Sequence, residues 1–142
     1  LIRYYDGSGL LTMIAQEFIQ WDQYVRCMCL GRNLVLPMPY DTHGRRYIPD
    51  PNYLAPALKQ RVIDDSIRLN AALGYDMNTT EWAIKDGVPY AIDFMNPAPD
   101  MDVNSLTPDH FEWVVKHMAD LVIDRALNPR PQLAELKWSK LF

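Results

Sequence analysis

The 142-residue sequence has two cysteines, six glycines and three histidines, and no excess of positive charge. Each shortage excludes something. Cys27 and Cys29 stand one residue apart, with no second cysteine pair and no nearby histidine, so no zinc signature is present. If the stretch is a strand, both thiols face the same side, about 6–7 Å apart at Cα. A disulfide there would need backbone distortion. Two reduced, core-packed thiols are the simpler reading, and they fit a cytoplasmic compartment. With 14 Lys and Arg against 18 Asp and Glu, the net charge of −4 gives no electrostatic case for nucleic acid as a partner. No apolar run approaches the roughly 20 residues of a membrane span. Leu1-Ile2-Arg3-Tyr4-Tyr5 carries no secretory pattern. No Ser/His/Asp or Cys/His arrangement is evident.

What is present suffices for one compact domain. The chain is 49% hydrophobic and 23% charged, which argues for a packed core and against disorder. Its first residues already read as the middle of something, so a fragment of a longer chain is expected. Tyr24 to Leu30 reads as a strand, Gly31-Arg32-Asn33 as a turn, and Leu34 to Tyr40 as a return strand. Pro37 and Pro39 place the return strand at a sheet edge, because proline donates nothing to a ladder. A long polar loop over 41–53 carries Arg45 and Arg46. A helix then runs from Pro56 to Gly74, with Leu58, Val62, Leu69, Ala72 and Leu73 on one face. Thr79 to Ile84 and Pro89 to Met95 form a second hairpin about Lys85-Asp86-Gly87. The last clear helix opens on Thr107 and Pro108, presents Phe111, Val114, Val115, Met118, Leu121 and Val122, and stops at Asn128-Pro129. A tail follows, with a short docking helix suggested by Leu133, Leu136 and Trp138. Hairpin, helix, hairpin, helix predicts an α+β domain: an antiparallel β-sheet with helices packed on one face.

The second hairpin concentrates the chemistry. Counting outward from the Asp86-Gly87 turn places Glu81 opposite Asp93, with Cβ atoms about 5 Å apart. Like charges so placed repel unless a cation sits between them. Magnesium suits such a pair, since hard cations take carboxylate and amide oxygens, and Asn96 offers an amide oxygen just beyond the strand. A solvated pair of edge acids is the competing reading, because a one-residue slip in register sends every side chain to the other face.

An acid-bearing strand, an Asp-Gly turn and a strand ending in acid, Asn96 and Pro97 resembles the C-terminal motif of ATP-grasp enzymes, of the glutathione-synthase and ribosomal-modification type. Ala72-Leu73-Gly74 resembles the helix end before that hairpin. Gln16-Glu17-Phe18-Ile19 resembles the family's adenine hinge, and Tyr24-Val25-Arg26 the segment after it. The resemblance spans roughly residues 14–127 and divides the chain into residues 1–128, the C-terminal part of an ATP-grasp domain, and 129–142, a tail. It implies that Glu81, Asp93 and Asn96 hold Mg2+ or Mn2+. Gln16, Glu17, Phe18 and Ile19 would line the adenine of ATP, Asp22 would meet the ribose, and Arg26 would stabilise the transferring phosphoryl group. The implied activity is ATP-dependent ligation of a small-molecule carboxylate to an amine or thiol through an acyl-phosphate. The alternative is a non-catalytic binding or scaffold domain. No membrane or nucleic-acid partner is implied, and a homo-oligomer is left open.

Two departures from the family pattern carry expectations. The family places one residue between the second acid and the asparagine, whereas Phe94 and Met95 make two here. In a regular strand Asp93 and Asn96 would face opposite ways, so a β-bulge at Phe94-Met95 is required if both are to act together. The lysines and glycine-rich loop that precede the hinge in the family have no counterpart except a remnant at Gly7-Ser8-Gly9. The fragment alone is therefore expected to be inactive.

Overall fold

The computed structural model describes residues 15–129. The expectations for Gly7-Ser8-Gly9 and for Leu133, Leu136 and Trp138 lie outside them. The described elements run β1 (Gln23–Leu30), β2 (Leu34–Asp41), β3 (Arg46–Tyr47), α1 (Pro56–Leu73), β4 (Met77–Lys85), β5 (Val88–Asn96) and α2 (Pro108–Leu127). The five strands form one antiparallel sheet in the order β3-β2-β1-β4-β5. The α+β class and antiparallel sheet expected from the sequence are present.

Local chemistry explains the punctuation. Gly31 and Gly87 take φ of +66° and +74° in the two hairpin turns, a conformation that costs glycine little. Gly74 closes α1 in the left-handed conformation and its N–H returns to the Asn70 carbonyl at 2.9 Å. Thr107 caps α2 by accepting from the His110 N–H at 3.4 Å, with Pro108 in the first turn. The long loop after β2 is not wholly irregular. Its two-residue β3 pairs Arg46 with Asp41 and Tyr47 with Tyr40. That leaves Pro37 and most of β2 on an open edge, where a missing N–H costs nothing.

The helices depart from the expected arrangement: they lie on opposite faces of the sheet. Val25, Cys27 and Cys29 point to the face covered by α1, where they pack with Val62, Trp82 and Ile84. Met28 and Leu30 point the other way, into a cluster with Met38, Leu106 and Val114 under α2. The cause is legible in β1, which is apolar at successive positions and so needs cover on both sides. Each helix also presents its core face slightly differently from the simple apolar count. On α1 the fully buried positions are Val62, Ser66 and Asn70, two of them polar, while Ala72 is exposed. On α2, Val115 and Val122 face solvent. Both cysteines are free and buried, as expected, and burial pushes both thiols up from their ordinary pKa.

A candidate acid and arginine site on the face opposite α1

Three strands bring the predicted residues together. Register pairs Arg26 of β1 with Glu81 of β4, and Glu81 with Asp93 of β5. Cross-strand partners share a face, so Arg26, Glu81 and Asp93 stand in a row on the face opposite α1. The register changes on both sides of the Glu81–Asp93 pair, and Asn96 comes to lie opposite Thr79. Thr79 and Glu81 are two apart on one strand and so face the same way. The extra residue in the Phe94–Met95 stretch is thus a β-bulge, and it returns Asn96 to the acid face as the departure in spacing required.

The electrostatics of the row centre on Glu81. Arg26 Nη2 lies 3.0 Å from one carboxylate oxygen, and the Tyr24 hydroxyl donates to the other. The cation answering Glu81 is therefore Arg26. The Arg26 guanidinium also stacks over the Tyr40 ring, with Cζ 4.0 Å from the centroid. Burial works against its charge, but Glu81, Tyr40 and Tyr47 outweigh that and raise its pKa. Burial, then the hydrogen bond to Glu81, raises the pKa of Tyr24, so this hydroxyl remains a donor at neutral pH. Asp93 is exposed and, among the described residues, makes no hydrogen bond or ion pair. Asn96 gives its backbone N–H to the Asn78 amide oxygen at 2.8 Å, while its own side chain is exposed.

Aromatic rings extend this row. Trp21, Tyr24, Tyr40, Tyr47 and His110 follow one another with centroid separations of 5.2, 6.3, 5.0 and 5.9 Å. They wall the arginine on the β2 side. Three buried polar atoms on this side of the molecule have no hydrogen-bond partner among the described residues: Arg26 Nε, Thr79 Oγ1 and His110 Nδ1. Native interiors seldom leave such atoms unpaired without a reason. Burial lowers the His110 pKa, which keeps the ring neutral.

The hinge stretch is brought to the same edge. The Gln16 side-chain amide donates to the Ile92 carbonyl at 3.2 Å, one residue from Asp93. Phe18 is 75% exposed, and its ring meets Trp21 at 5.5 Å. Glu17, Phe18 and Ile19 make no backbone hydrogen bond to another described residue. Asp22 is placed differently. Its carboxylate accepts from the Asp86 N–H at 2.8 Å and staples the β4–β5 turn, roughly 16 Å along the strand direction from Glu81.

Among the described residues, no group of three or more His, Cys, Asp or Glu side chains could hold a metal ion. The row instead offers two carboxylates and an amide oxygen, a hard-oxygen set that fits magnesium better than zinc. Thr79 Oγ1, buried without a partner opposite Asn96, adds a polar atom awaiting one. Glu81 retains capacity as well, since a carboxylate has about four lone-pair sites and two are in use.

Sequence reasoning did not find Tyr24, Tyr40 or Tyr47 around Arg26, or Asn78 beneath the bulge. Tyr24 stands two residues from Arg26 on β1, while Tyr40 and Tyr47 reach it through the pairing of β1 with β2 and of β2 with β3. Asn78 carried a signal: an asparagine inside a strand otherwise rich in Thr and apolar residues is out of place unless its amide is used.

Among solved structures the chain matches D-alanine–D-alanine ligase from Bacillus anthracis in complex with ATP. The TM-score is 0.61 at 22% identity, over 79% of this chain and 39% of that one. A second structure of that ligase from the same organism matches with a TM-score of 0.56 at 20% identity, over 79% of this chain and 41% of that one. The chain thus spans about two fifths of the ligases it matches, and the likeness is one of fold. No family model matches the sequence. No curated protein matches it. No helix among the described residues is long and apolar enough to cross a membrane.

Proposed function

We propose that this chain is the nucleotide- and metal-binding part of an ATP-dependent ligase that joins a carboxylate to an amine or thiol through an acyl-phosphate. The observation that carries the reading is the bulge in β5. It sets Asn96 on the same face as Glu81 and Asp93, beside Arg26, in a fold shared with a ligase solved with ATP. Glu81, Asp93 and Asn96 would hold the divalent cation, Mg2+ or Mn2+, which when bound supplies charge neutralisation for the nucleotide phosphates. The backbone of Glu17, Phe18 and Ile19 would meet the adenine edge while the Phe18 and Trp21 rings cover its face.

The remaining chemistry is positioning. A substrate carboxylate oxygen attacks the γ-phosphorus, the bond to the β-phosphate bridging oxygen breaks, and ADP leaves. An amine or thiol then attacks the acyl carbon, loses its proton, and displaces phosphate. Arg26 is fixed by Glu81 and Tyr40 with its Nε unpartnered. It is therefore oriented to meet a developing oxyanion without reorganising. Asp22 would meet the ribose with the carboxylate oxygen that the Asp86 N–H does not engage.

One observation favours a second reading, a non-catalytic member that keeps the fold. Both oxygens of Glu81 already have partners, so that carboxylate is compensated with no ligand. Calorimetry of MgATP with the full-length protein and its Asp93→Ala variant decides between them. The ligase reading expects binding that the substitution weakens at least tenfold. Absent binding, or binding indifferent to Asp93, leaves the scaffold reading.

A further inference from the structure

The bulge that places Asn96 breaks the regular pairing of β5 and strands two backbone groups, the Phe94 carbonyl and the Asn96 N–H. Both are taken up by one side chain. Asn78 Nδ2 donates to the Phe94 carbonyl at 2.9 Å, and Asn78 Oδ1 accepts from the Asn96 N–H at 2.8 Å. The second hydrogen of the same amide goes to Asn70 Oδ1 on α1, also at 2.9 Å. Asn70 in turn donates to the Ser66 carbonyl one helical turn back. Asn78 is wholly buried, and Asn70 is 1% exposed. The Asn78 amide thus spends both hydrogens and its carbonyl on this arrangement, and a rigid helix backs it.

We infer that Asn78, supported by Asn70, is a positioning residue for the proposed cation site. It lies on the opposite face from Glu81 and Asp93, touches no ligand position, and acts by holding the bulge that turns Asn96 toward them. The inference rests on the metal reading given above, and it adds a reason why the two-residue spacing between Asp93 and Asn96 is tolerated. A strand with one residue in that gap would need no bulge, because acid and asparagine would share a face by simple alternation. Asn78 would then have nothing to hold. The requirement for Asn78 is therefore specific to the presence of both Phe94 and Met95.

That dependence gives a test a merely structural asparagine would not pass. Mn2+ binding in the presence of ATP is followed by electron paramagnetic resonance on the full chain, and amide hydrogen exchange is followed at Asn96. Asn78→Val is expected to weaken Mn2+ binding at least tenfold and to speed Asn96 exchange at least tenfold. Deleting Met95 is expected to preserve Mn2+ binding, and in that background Asn78→Val is expected to cost no further affinity. If Asn78→Val does not fold, Asn78→Ser is read instead, because its smaller side chain admits a water to the stranded groups. Wild-type Mn2+ affinity in the Asn78 variant overturns the inference. So does equal sensitivity to Asn78→Val with and without Met95. Failure of the unaltered chain to bind Mn2+ with ATP overturns the functional reading itself, a result distinct from either.

Discussion

Under α1, Ser66, Asn70, Asn78, Thr80 and Trp82 bury their polar side chains and satisfy one another. The Trp82 indole donates toward Ser66 Oγ and Thr80 Oγ1, each at 3.0 Å, and the two hydroxyls are 2.9 Å apart. Across the same strands, Thr79 Oγ1, Arg26 Nε and His110 Nδ1 are buried without a partner among the described residues, and Asp93 stands exposed beside a half-buried ion pair. Alternation along β4 produces the contrast, since Thr80 and Trp82 point one way and Thr79 and Glu81 the other. The lesson is that a complete polar network marks the face that makes the fold. The incomplete one marks the face left for a ligand.

Substitutions on the two faces should therefore separate stability from binding. The largest loss is expected on the finished side. Trp82→Ala removes a 4%-exposed ring and the donor that ties Ser66 to Thr80. It should cost about 3–5 kcal/mol in urea denaturation. A loss under 1 kcal/mol would break the comparison. An intermediate effect is expected at the seam. Arg26→Met leaves Glu81, whose side chain is 15% exposed, with only Tyr24 as partner. The expected cost is about 1–3 kcal/mol, and Glu81→Gln in the same chain should recover part of it. Purely additive single and double variants would mean that the pair is not coupled.

The smallest effect is a slope with pH. Burial holds His110 below the ordinary histidine pKa. The unfolded chain then binds a proton that the folded chain refuses. Stability from this source is full above the ordinary value and is lost as pH falls through it toward the folded pKa. His110→Phe should flatten that acid-side slope in urea titrations at successive pH values. An unchanged slope would show that the ring takes up its proton alike in the folded and unfolded chain.

Much of the candidate site could be read from residues alone, and for local reasons. The Asp86-Gly87 turn sets the register only as far as Trp82 and Ala91; a shift beyond them brings Glu81 opposite Asp93, and the awkward spacing to Asn96 demanded the bulge that is found. Helix ends were equally local, because Thr107, Pro108 and Gly74 act within one turn. What escaped was long-range. Nothing near Arg26 in the chain announces Glu81 as its partner, because β1 and β4 are brought together by the crossover through α1. The division of the helices between two faces was available in the apolar run Cys27-Met28-Cys29-Leu30 of β1. Reading the helices as one-sided overlooked it. On α1, the stripe Val62, Ser66, Asn70 at four-residue spacing was obscured because two of its members are polar.

The latch of Arg26 and Tyr24 on Glu81 carries a thermodynamic consequence. A cation that takes oxygens of Glu81 must loosen their hold on Arg26, and an anion that draws Arg26 away must bare those same oxygens. On the proposed metal reading, affinities for the two kinds of ion on this face would thereby be linked, each raising the other by the same factor. Such a face would discriminate against free metal and free anion and respond to their simultaneous arrival, a coincidence detector assembled from three side chains.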